Sequence, residues 1–228
     1  MVTIHTPTSD LDKSIDFYKT LNYRLVRPSN PCLFNDSNTL IEVNPDRYAR
    51  AGIKMYKSSW VKEVQGLKEV TELFNIDRGY LLNDANGCWI YLIEEDFEFP
   101  ADQPDIDAAL TGNFVGLSLE SANIQKSFSI WQHLGFEIIQ GDISTNYMTL
   151  SNADEFKVSL MKPLTCPHLF FNPSMTFFNG DRNMEVIAEI RASKIPITEE
   201  ITFFNEEGLV DNIIIKDPGG YGFFIFND

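Results

Sequence analysis

Cysteine, histidine and basic residues are scarce in this sequence: its 228 residues include 3 Cys, 3 His and 18 Lys plus Arg. Cys32, Cys88 and Cys166 are odd in number, far apart and without a C-x-x-C pair. This pattern argues against a disulfide framework or a cysteine zinc site and fits buried thiols in a reducing compartment. No basic region followed by an apolar run opens the chain, and no apolar run approaches the ~18 residues of a membrane span. We therefore expect a cytoplasmic protein.

Acidic residues outnumber basic ones, 33 to 18, which gives a formal net charge of −15 and a pI near 4.5. A charge of this sign repels phosphate backbones and anionic lipid surfaces at long range. We therefore expect neither nucleic acid nor membrane partners, whereas a cationic ligand would be attracted.

Apolar and aromatic residues are plentiful, at 43% and 13% of the chain, with 18 Phe. Such a composition excludes a disordered chain and indicates cores or pockets built from aromatic rings. The length favours two domains of roughly 110 residues each.

Two similar segments, DLDKSIDFYKTLNY (10–23) and NIQKSFSIWQHLGF (123–136), each predict an amphipathic helix. Their apolar stripes align at i, i+4, i+7 and i+10: Leu11, Ile15, Tyr18 and Leu21 match Ile124, Phe128, Trp131 and Leu134. Asp10 and Asn123 stand where a helix N-cap is wanted, and Asn22 and Gly135 where a left-handed residue ends a helix. The chain therefore contains an internal duplication.

Short strands surround each repeated helix. The alternating segments VTIHT (2–6) and FVGLSLE (114–120) precede them, and β-prone residues follow them. A second match, DANGCWIYLI (84–93) with DPGGYGFFIF (217–226), predicts a glycine turn and a final strand in each half. Further helices are predicted near 59–70 and 181–194. Together these segments give four βαβββ units in two pairs.

This ordered set of motifs resembles the vicinal oxygen chelate superfamily, which includes glyoxalases, extradiol dioxygenases and bleomycin-resistance proteins. The carrying motifs are SDLDKSIDFYKTLNYRLV, SANIQKSFSIWQHLGFEII and DPGGYGFFIF, the last being similar to the family's DPDG turn and final strand. The resemblance implies an α+β fold in which four βαβββ modules pair into two glyoxalase-like domains with cup-shaped mixed sheets. We place the first domain at 1–98 (modules about 1–50 and 51–98), an acidic linker at 99–111, and the second domain at 112–228 (modules about 112–163 and 164–228).

Strand alternation predicts which side chains enter each cup, because helices cover the opposite face of the sheet. In TLIEVN, Ile41 and Val43 would meet the helix, which leaves Glu42 inside. The same argument for the other strands gives the first cup His5, Glu42, Lys54, Tyr56, Trp89 and Tyr91. It gives the second cup Gly116, Ser118, Lys157, Ser159, Gly222, Phe224 and Phe226. Because only the first set holds convergent titratable groups, we expect any chemistry in the first half.

The resemblance implies metal ligands, usually His and Glu, on the first and last strands of each module. Glu42 matches one such position, but Thr3, Ile53 and Tyr91 stand at the other three of the first half. In the second half the matching residues are Gly116, Ser159, Thr176 and Phe224, none of them a good ligand. We therefore expect no metal cofactor; a divalent metal held by His5 and Glu42 is the alternative.

Two further interpretations of these residues stay open. His5 is a strand histidine that bonds Glu42 or Tyr91, while Glu42 pairs with Lys54; such mutual satisfaction is the ordinary state of buried polar groups. Alternatively His5 acts as a general base held by Glu42, with Tyr56 or Tyr91 donating to an oxyanion. The other histidines offer less: His133 is predicted on a helix surface and His168 in the connection between two units.

Three functions follow from these alternatives. The first is a metal-free binding protein, similar to drug-sequestering members of the superfamily, that holds an aromatic or cationic small molecule in the first cup. The second is a metal-dependent lyase, isomerase or dioxygenase that uses His5 and Glu42. The third is a scaffold whose cups are filled by side chains. In the first two cases the partner is a small molecule. We expect the protein to be a monomer or a homodimer.

Overall fold

The computed structural model describes residues 1–36, 38–98 and 108–228, and its first half forms one sheet with two helices. The elements of this half, numbered along the chain, are β1 (Val2–Pro7), α1 (Leu11–Thr20), β2 (Arg24–Arg27), β3 (Cys32–Asn35), β4 (Leu40–Asn44), β5 (Gly52–Tyr56), α2 (Val61–Val70), β6 (Phe74–Ile76), β7 (Gly79–Asn83) and β8 (Trp89–Ile93).

The second half repeats this order. Its elements are β9 (Phe114–Glu120), α3 (Ile124–His133), β10 (Glu137–Gly141), β11 (Tyr147–Ser151), β12 (Lys157–Met161), β13 (Ser174–Phe178), a 3-10 turn (Gly180–Arg182), α4 (Asn183–Ala192), β14 (Ile197–Ile201), β15 (Asn212–Lys216) and β16 (Gly222–Phe226).

Each half contains one eight-stranded mixed sheet. The strand orders are β2-β3-β4-β1-β5-β8-β7-β6 and β10-β11-β12-β9-β13-β16-β15-β14. The first and last strands of each module pair in parallel, and two modules join through antiparallel first strands, β1 with β5 and β9 with β13. The predicted α+β fold of four βαβββ modules in two cup-shaped sheets is therefore confirmed. In the described part of the chain, none of the helices has the length and apolarity to cross a membrane.

The two duplicated helices begin and end as the sequence predicts. The side chains of Asp10 and Asn123 accept hydrogen bonds from the backbone N–H groups three residues later. Asn22 and Gly135 have φ angles of 65° and 88°, the left-handed conformation expected after a helix. Helix α4 begins at Asn183 rather than near residue 181, because a 3-10 turn occupies the preceding residues.

The two halves are joined by two nearly equivalent sets of hydrogen bonds, one from each half, which together we call the interlock. Asp217, in the turn before β16, accepts hydrogen bonds from Thr6 Oγ1 at 2.7 Å and from Tyr18 OH at 2.8 Å, both in the first half. Asp84, in the turn before β8, accepts from Ser127 Oγ at 2.7 Å and Trp131 Nε1 at 2.5 Å, both in the second half. Each carboxyl-bearing turn therefore docks on the duplicated helix of the other half.

Close approach in this interlock requires a glycine. A Cβ atom on Gly219 would lie 2.0 Å from the carbonyl oxygen of Pro7 and 2.4 Å from Thr6 Oγ1, which is shorter than any real contact. The apolar core is continuous across the same contact, since one cluster of buried residues includes members of both sheets. Most of the predicted linker 99–111 lies outside the described residues, which exclude 99–107.

Candidate functional site

The inner face of the first sheet opens into a cavity of about 740 Å³. Three of the six predicted cup residues, Glu42, Lys54 and Tyr56, line it, together with Arg27 and residues of the segment 93–98. His5, Trp89 and Tyr91 are not among the lining residues. Alternation along β8 is clear, because Ile90 and Leu92 are buried and Trp89 and Tyr91 are half-buried on the opposite face.

Glu42 is the centre of this site and is only 2% exposed. Lys54 Nζ contacts its Oε1, and Arg27 Nη2 lies 3.2 Å from its Oε2. The strand register explains the convergence, since Glu42 of β4 pairs with His5 of β1, and Lys54 of β5 lies opposite Thr3 of the same β1. Both carboxylate oxygens are therefore bound by cations of the chain itself.

His5 is fully buried and both ring nitrogens have partners. Its Nδ1 lies 2.8 Å from the carbonyl oxygen of Arg50, which can only accept, so the proton is on Nδ1. Its Nε2 therefore accepts from Asn44 Nδ2 at 3.1 Å, while Glu42 Oε1 is 3.7 Å away. Burial, and secondly the charge of Lys54, lower the pKa of His5 to about 3. His5 is thus a neutral, hydrogen-bonded residue beneath Glu42, but its hydrogen-bond partners are Arg50 and Asn44 rather than the predicted Glu42 or Tyr91.

The two tyrosines of the cup differ in position. Tyr91 packs against the His5 ring, with centroids 4.6 Å apart, and its hydroxyl accepts from the backbone N–H of Arg50 at 3.0 Å. Tyr56 faces the cavity and meets the Phe97 ring edge-on at 4.9 Å. Burial, and secondly the charge of Glu42, raise the pKa of Tyr56. The Tyr56 hydroxyl therefore stays protonated at neutral pH and can donate to a ligand.

The second sheet has its own cavity, of about 720 Å³. Of the predicted second-cup residues, Gly116, Ser118, Ser159, Phe224 and Phe226 line it, whereas Lys157 and Gly222 do not. Sequence reasoning missed the contribution of the segment 165–170, which places Cys166, His168 and Phe170 on the wall. The high aromatic content of TCPHLFF was the available signal. As predicted, His133 is exposed on a helix.

Solved structures with a similar chain path include several enzymes. The 2,3-dioxygenase LapB from Pseudomonas sp. KL28 superposes with a TM-score of 0.59 at 12% identity, over 97% of this chain and 90% of that one. The Mn(II)-bound glyoxalase from Novosphingobium aromaticivorans gives 0.58 at 15% identity, over 97% and 79%. A catechol 2,3-dioxygenase gives 0.55 at 13% identity, over 97% and 85%. This chain has the vicinal oxygen chelate fold. No family model and no curated protein sequence matches it.

Metal-dependent proteins of the vicinal oxygen chelate fold need a set of open ligands at the cup floor, and the residues present here do not fit one. Of the six predicted residues of the first cup, Glu42 is the one carboxylate, and the ammonium of Lys54 and the guanidinium of Arg27 bind it. The Nε2 lone pair of His5 accepts from Asn44. Within residues 1–36, 38–98 and 108–228, no three His, Cys, Asp or Glu side chains form a group able to hold a metal ion. An ammonium thus stands where a cation would bind Glu42.

The burial of His5 predicts acid sensitivity. The pKa of His5 is about 3 in the folded state and about 6.5 in the unfolded state. Below pH 6.5 the unfolded chain therefore binds a proton at His5 that the folded chain does not, and the free energy of unfolding falls as the pH falls. We expect the free energy of unfolding to fall by about 2 kcal/mol more between pH 8 and pH 5 in the natural chain than in His5→Gln. Urea titrations across this range measure the difference.

The exposed His133 provides the control for this pH experiment. His133→Gln makes the same substitution at an exposed histidine of α3, outside the first cup, so the pH slopes of the two variants can be compared. An equal slope in His5→Gln and the natural chain would mean that His5 is not held neutral.

Proposed function

We propose that this protein binds a small organic molecule, aromatic or cationic, in the first cup and without a metal ion. The observation that carries the proposal is that Lys54 and Arg27 bind both oxygens of Glu42. A buried carboxylate that is already neutralised by the chain's own cations has no free charge to hold a metal. The cavity above it remains open to a ligand.

Charge at the cavity wall supports a cationic ligand. The lining residues include five carboxylates, Glu42, Asp77, Glu95, Asp96 and Glu98, and three cations, Arg27, Lys54 and Arg78. Arg78 and Glu95 pair with each other at 2.8 Å. No ion pair of Asp77, Asp96 or Glu98 is present among the described residues. Those three carboxylates can meet a positive group, while Tyr56 and Phe97 offer ring faces.

Proflavine, a planar aromatic cation, tests this proposal by fluorescence titration. We expect saturable binding at one site, weakened about fivefold in the double variant Asp96→Asn/Glu98→Gln because two nearby negative charges are lost. Tyr56→Ala should weaken binding by a similar factor, since it removes a stacking face.

A matched control variant separates local from long-range charge effects. Glu137→Gln/Asp142→Asn removes the same net charge from exposed positions of the second half. Equal weakening in both double variants, or binding that Tyr56→Ala leaves unchanged, would show that proflavine does not use the first cup.

The second candidate function is a metal-dependent lyase, isomerase or dioxygenase, which the fold likeness to dioxygenases and to an Mn(II)-bound glyoxalase supports. Adding Mn²⁺, Fe²⁺ or Zn²⁺ to purified protein distinguishes the two. Our proposal expects no rise in Tm with any of them. Saturable Mn²⁺ binding that is lost in Glu42→Gln and kept in the control Glu63→Gln would instead establish the metal-dependent function.

A further inference from the structure

The second cup differs from the first in the chemistry of equivalent positions. Strand register shows which positions of the two cups are equivalent. Ser118 of β9 pairs with Ser159 of β12, just as His5 of β1 pairs with Glu42 of β4. Thr176 lies between Gly116 and Phe224 as Lys54 lies between Thr3 and Tyr91. The equivalent pairs are therefore His5 and Ser118, Glu42 and Ser159, Lys54 and Thr176, and Tyr91 and Phe224. At these four positions, each titratable side chain of the first cup is replaced by a hydroxyl or a phenyl ring in the second.

Aromatic rings form a corner in the second cup. Phe224 and Phe226 lie parallel on β16, with centroids 5.6 Å apart and an interplanar angle of 3°. His168 and Phe170 stand parallel to each other on the connection between β12 and β13. His168 meets both phenylalanines of β16 edge-on, at 5.0 and 5.2 Å, and Phe170 meets Phe224 at 5.0 Å. A planar aromatic ligand in this corner could contact both the faces and the edges of these rings.

Hydroxyl groups also line this cavity. Ser118 Oγ and Thr176 Oγ1 lie 2.7 Å apart, and both residues line the cavity. Ser159 Oγ lies 3.1 Å from Thr149 Oγ1 and 3.4 Å from the Tyr147 hydroxyl. Hydroxyls both donate and accept, so they can serve a carbonyl, hydroxyl or amine of a ligand.

Formal charge is nearly absent from this wall. Among the described residues that line the cavity there is no Lys or Arg, and the one carboxylate side chain belongs to the exposed Asp228. A charged ligand would lose its hydration here without gaining an opposite charge. A neutral ligand has no such penalty.

We propose that the second cup is a separate binding site for a neutral, planar aromatic molecule that carries one or two hydrogen-bonding groups. The volume of about 720 Å³ suits a molecule of two or three fused or linked rings. Phe204, 52% exposed and also on the cavity wall, places further apolar surface at this site.

Two fluorescent probes that share one ring frame test the class of ligand. 1-N-phenylnaphthylamine is neutral, and 8-anilinonaphthalene-1-sulfonate has a sulfonate on the same frame. Titrations in about 1 M NaCl reduce the Debye length to ~3 Å, so the overall negative charge of the protein has little influence. We expect the neutral probe to bind at least about tenfold more tightly; equal or tighter binding of the sulfonate would overturn the assignment to neutral ligands.

Variants in each cup test the location. Ser159→Trp fills the second cup and Phe170→Ala removes one ring from a surface connection; each should weaken binding of the neutral probe at least about tenfold. Tyr56→Ala, in the first cup at the position equivalent to Phe178, should leave it unchanged. Loss of probe binding in Tyr56→Ala alone would assign the probe to the first cup and overturn this inference while supporting the function proposed above. Binding that none of the variants alters would overturn the inference as well.

Discussion

Asp217→Ala is expected to lower the free energy of unfolding by about 3–5 kcal/mol, among the largest effects that we predict for a single substitution. The Asp217 side chain is 2% exposed and accepts from Thr6, Tyr18 and the backbone N–H of Tyr221. Alanine would leave the Tyr18 and Tyr221 donors buried without a partner, and the Thr6 hydroxyl with only its longer 3.4 Å contact to the carbonyl oxygen of Pro7. Each buried unsatisfied donor costs about 1–3 kcal/mol, and water entering the space offsets part of that total.

Comparison of variants at the same contact separates lost hydrogen bonds from lost packing. Asp217→Asn keeps the volume and one accepting oxygen, so we expect it to lose less than half as much stability as Asp217→Ala. Tyr18→Phe removes only the hydroxyl and should cost about 1 kcal/mol. Equilibrium urea denaturation measures all three, with Asp12→Ala, an exposed aspartate on α1, as the control that should change little.

Asp84 makes the equivalent contact from the other half and should behave in the same way. Its carboxylate accepts from Ser127 and Trp131, and burial raises the pKa of both Asp84 and Asp217. If Asp84→Ala and Asp217→Ala each cost several kcal/mol, the two halves depend on each other for stability. A small loss in both would mean that the halves are held together by their shared apolar core alone.

Local patterns in the sequence predicted the four βαβββ units, and the resemblance to the vicinal oxygen chelate superfamily implied their pairing into two cups. The helix stripes, their caps and the glycine turns lie within a few residues of one another, and their repetition identified the modules. Asp84 and Asp217 were recognised only as turn residues. Their partners lie 43 to 47 and 199 to 211 residues away, so no local periodicity could indicate the contact.

The side chains that line each cup were predicted only in part, because only the strand residues follow a local pattern. Strand parity placed Glu42, Lys54 and Tyr56 at the cavity, because alternation is a local property of a strand. It could not show that the segment 93–98 and Arg27 also line the first cup. Nor could it show that His168 enters the second, since connections have no period that fixes the direction of their side chains.

Glu42→Gln is the second substitution expected to have a large effect, a loss of about 3 kcal/mol in the free energy of unfolding. The neutral amide would leave Lys54, 15% exposed, facing a buried site without a counter-charge. Replacing both partners, Glu42→Gln with Lys54→Met, should be less destabilising than Glu42→Gln alone, because the uncompensated ammonium is then absent. Thermal and urea denaturation of the two single variants and the double variant measure this coupling.

The exposed pair Arg78–Glu95 provides the matched control, because solvent screens it and Glu95→Gln should have no measurable effect. If Glu42→Gln were instead more stable than the natural chain, the ion pairs of Glu42 would not stabilise the fold. A buried carboxylate that destabilises the fold is retained for function, since active sites commonly sacrifice stability for activity. In that case Lys54 and Arg27 would be cations that a ligand displaces from Glu42, and the metal-dependent alternative would regain the free carboxylate that it requires.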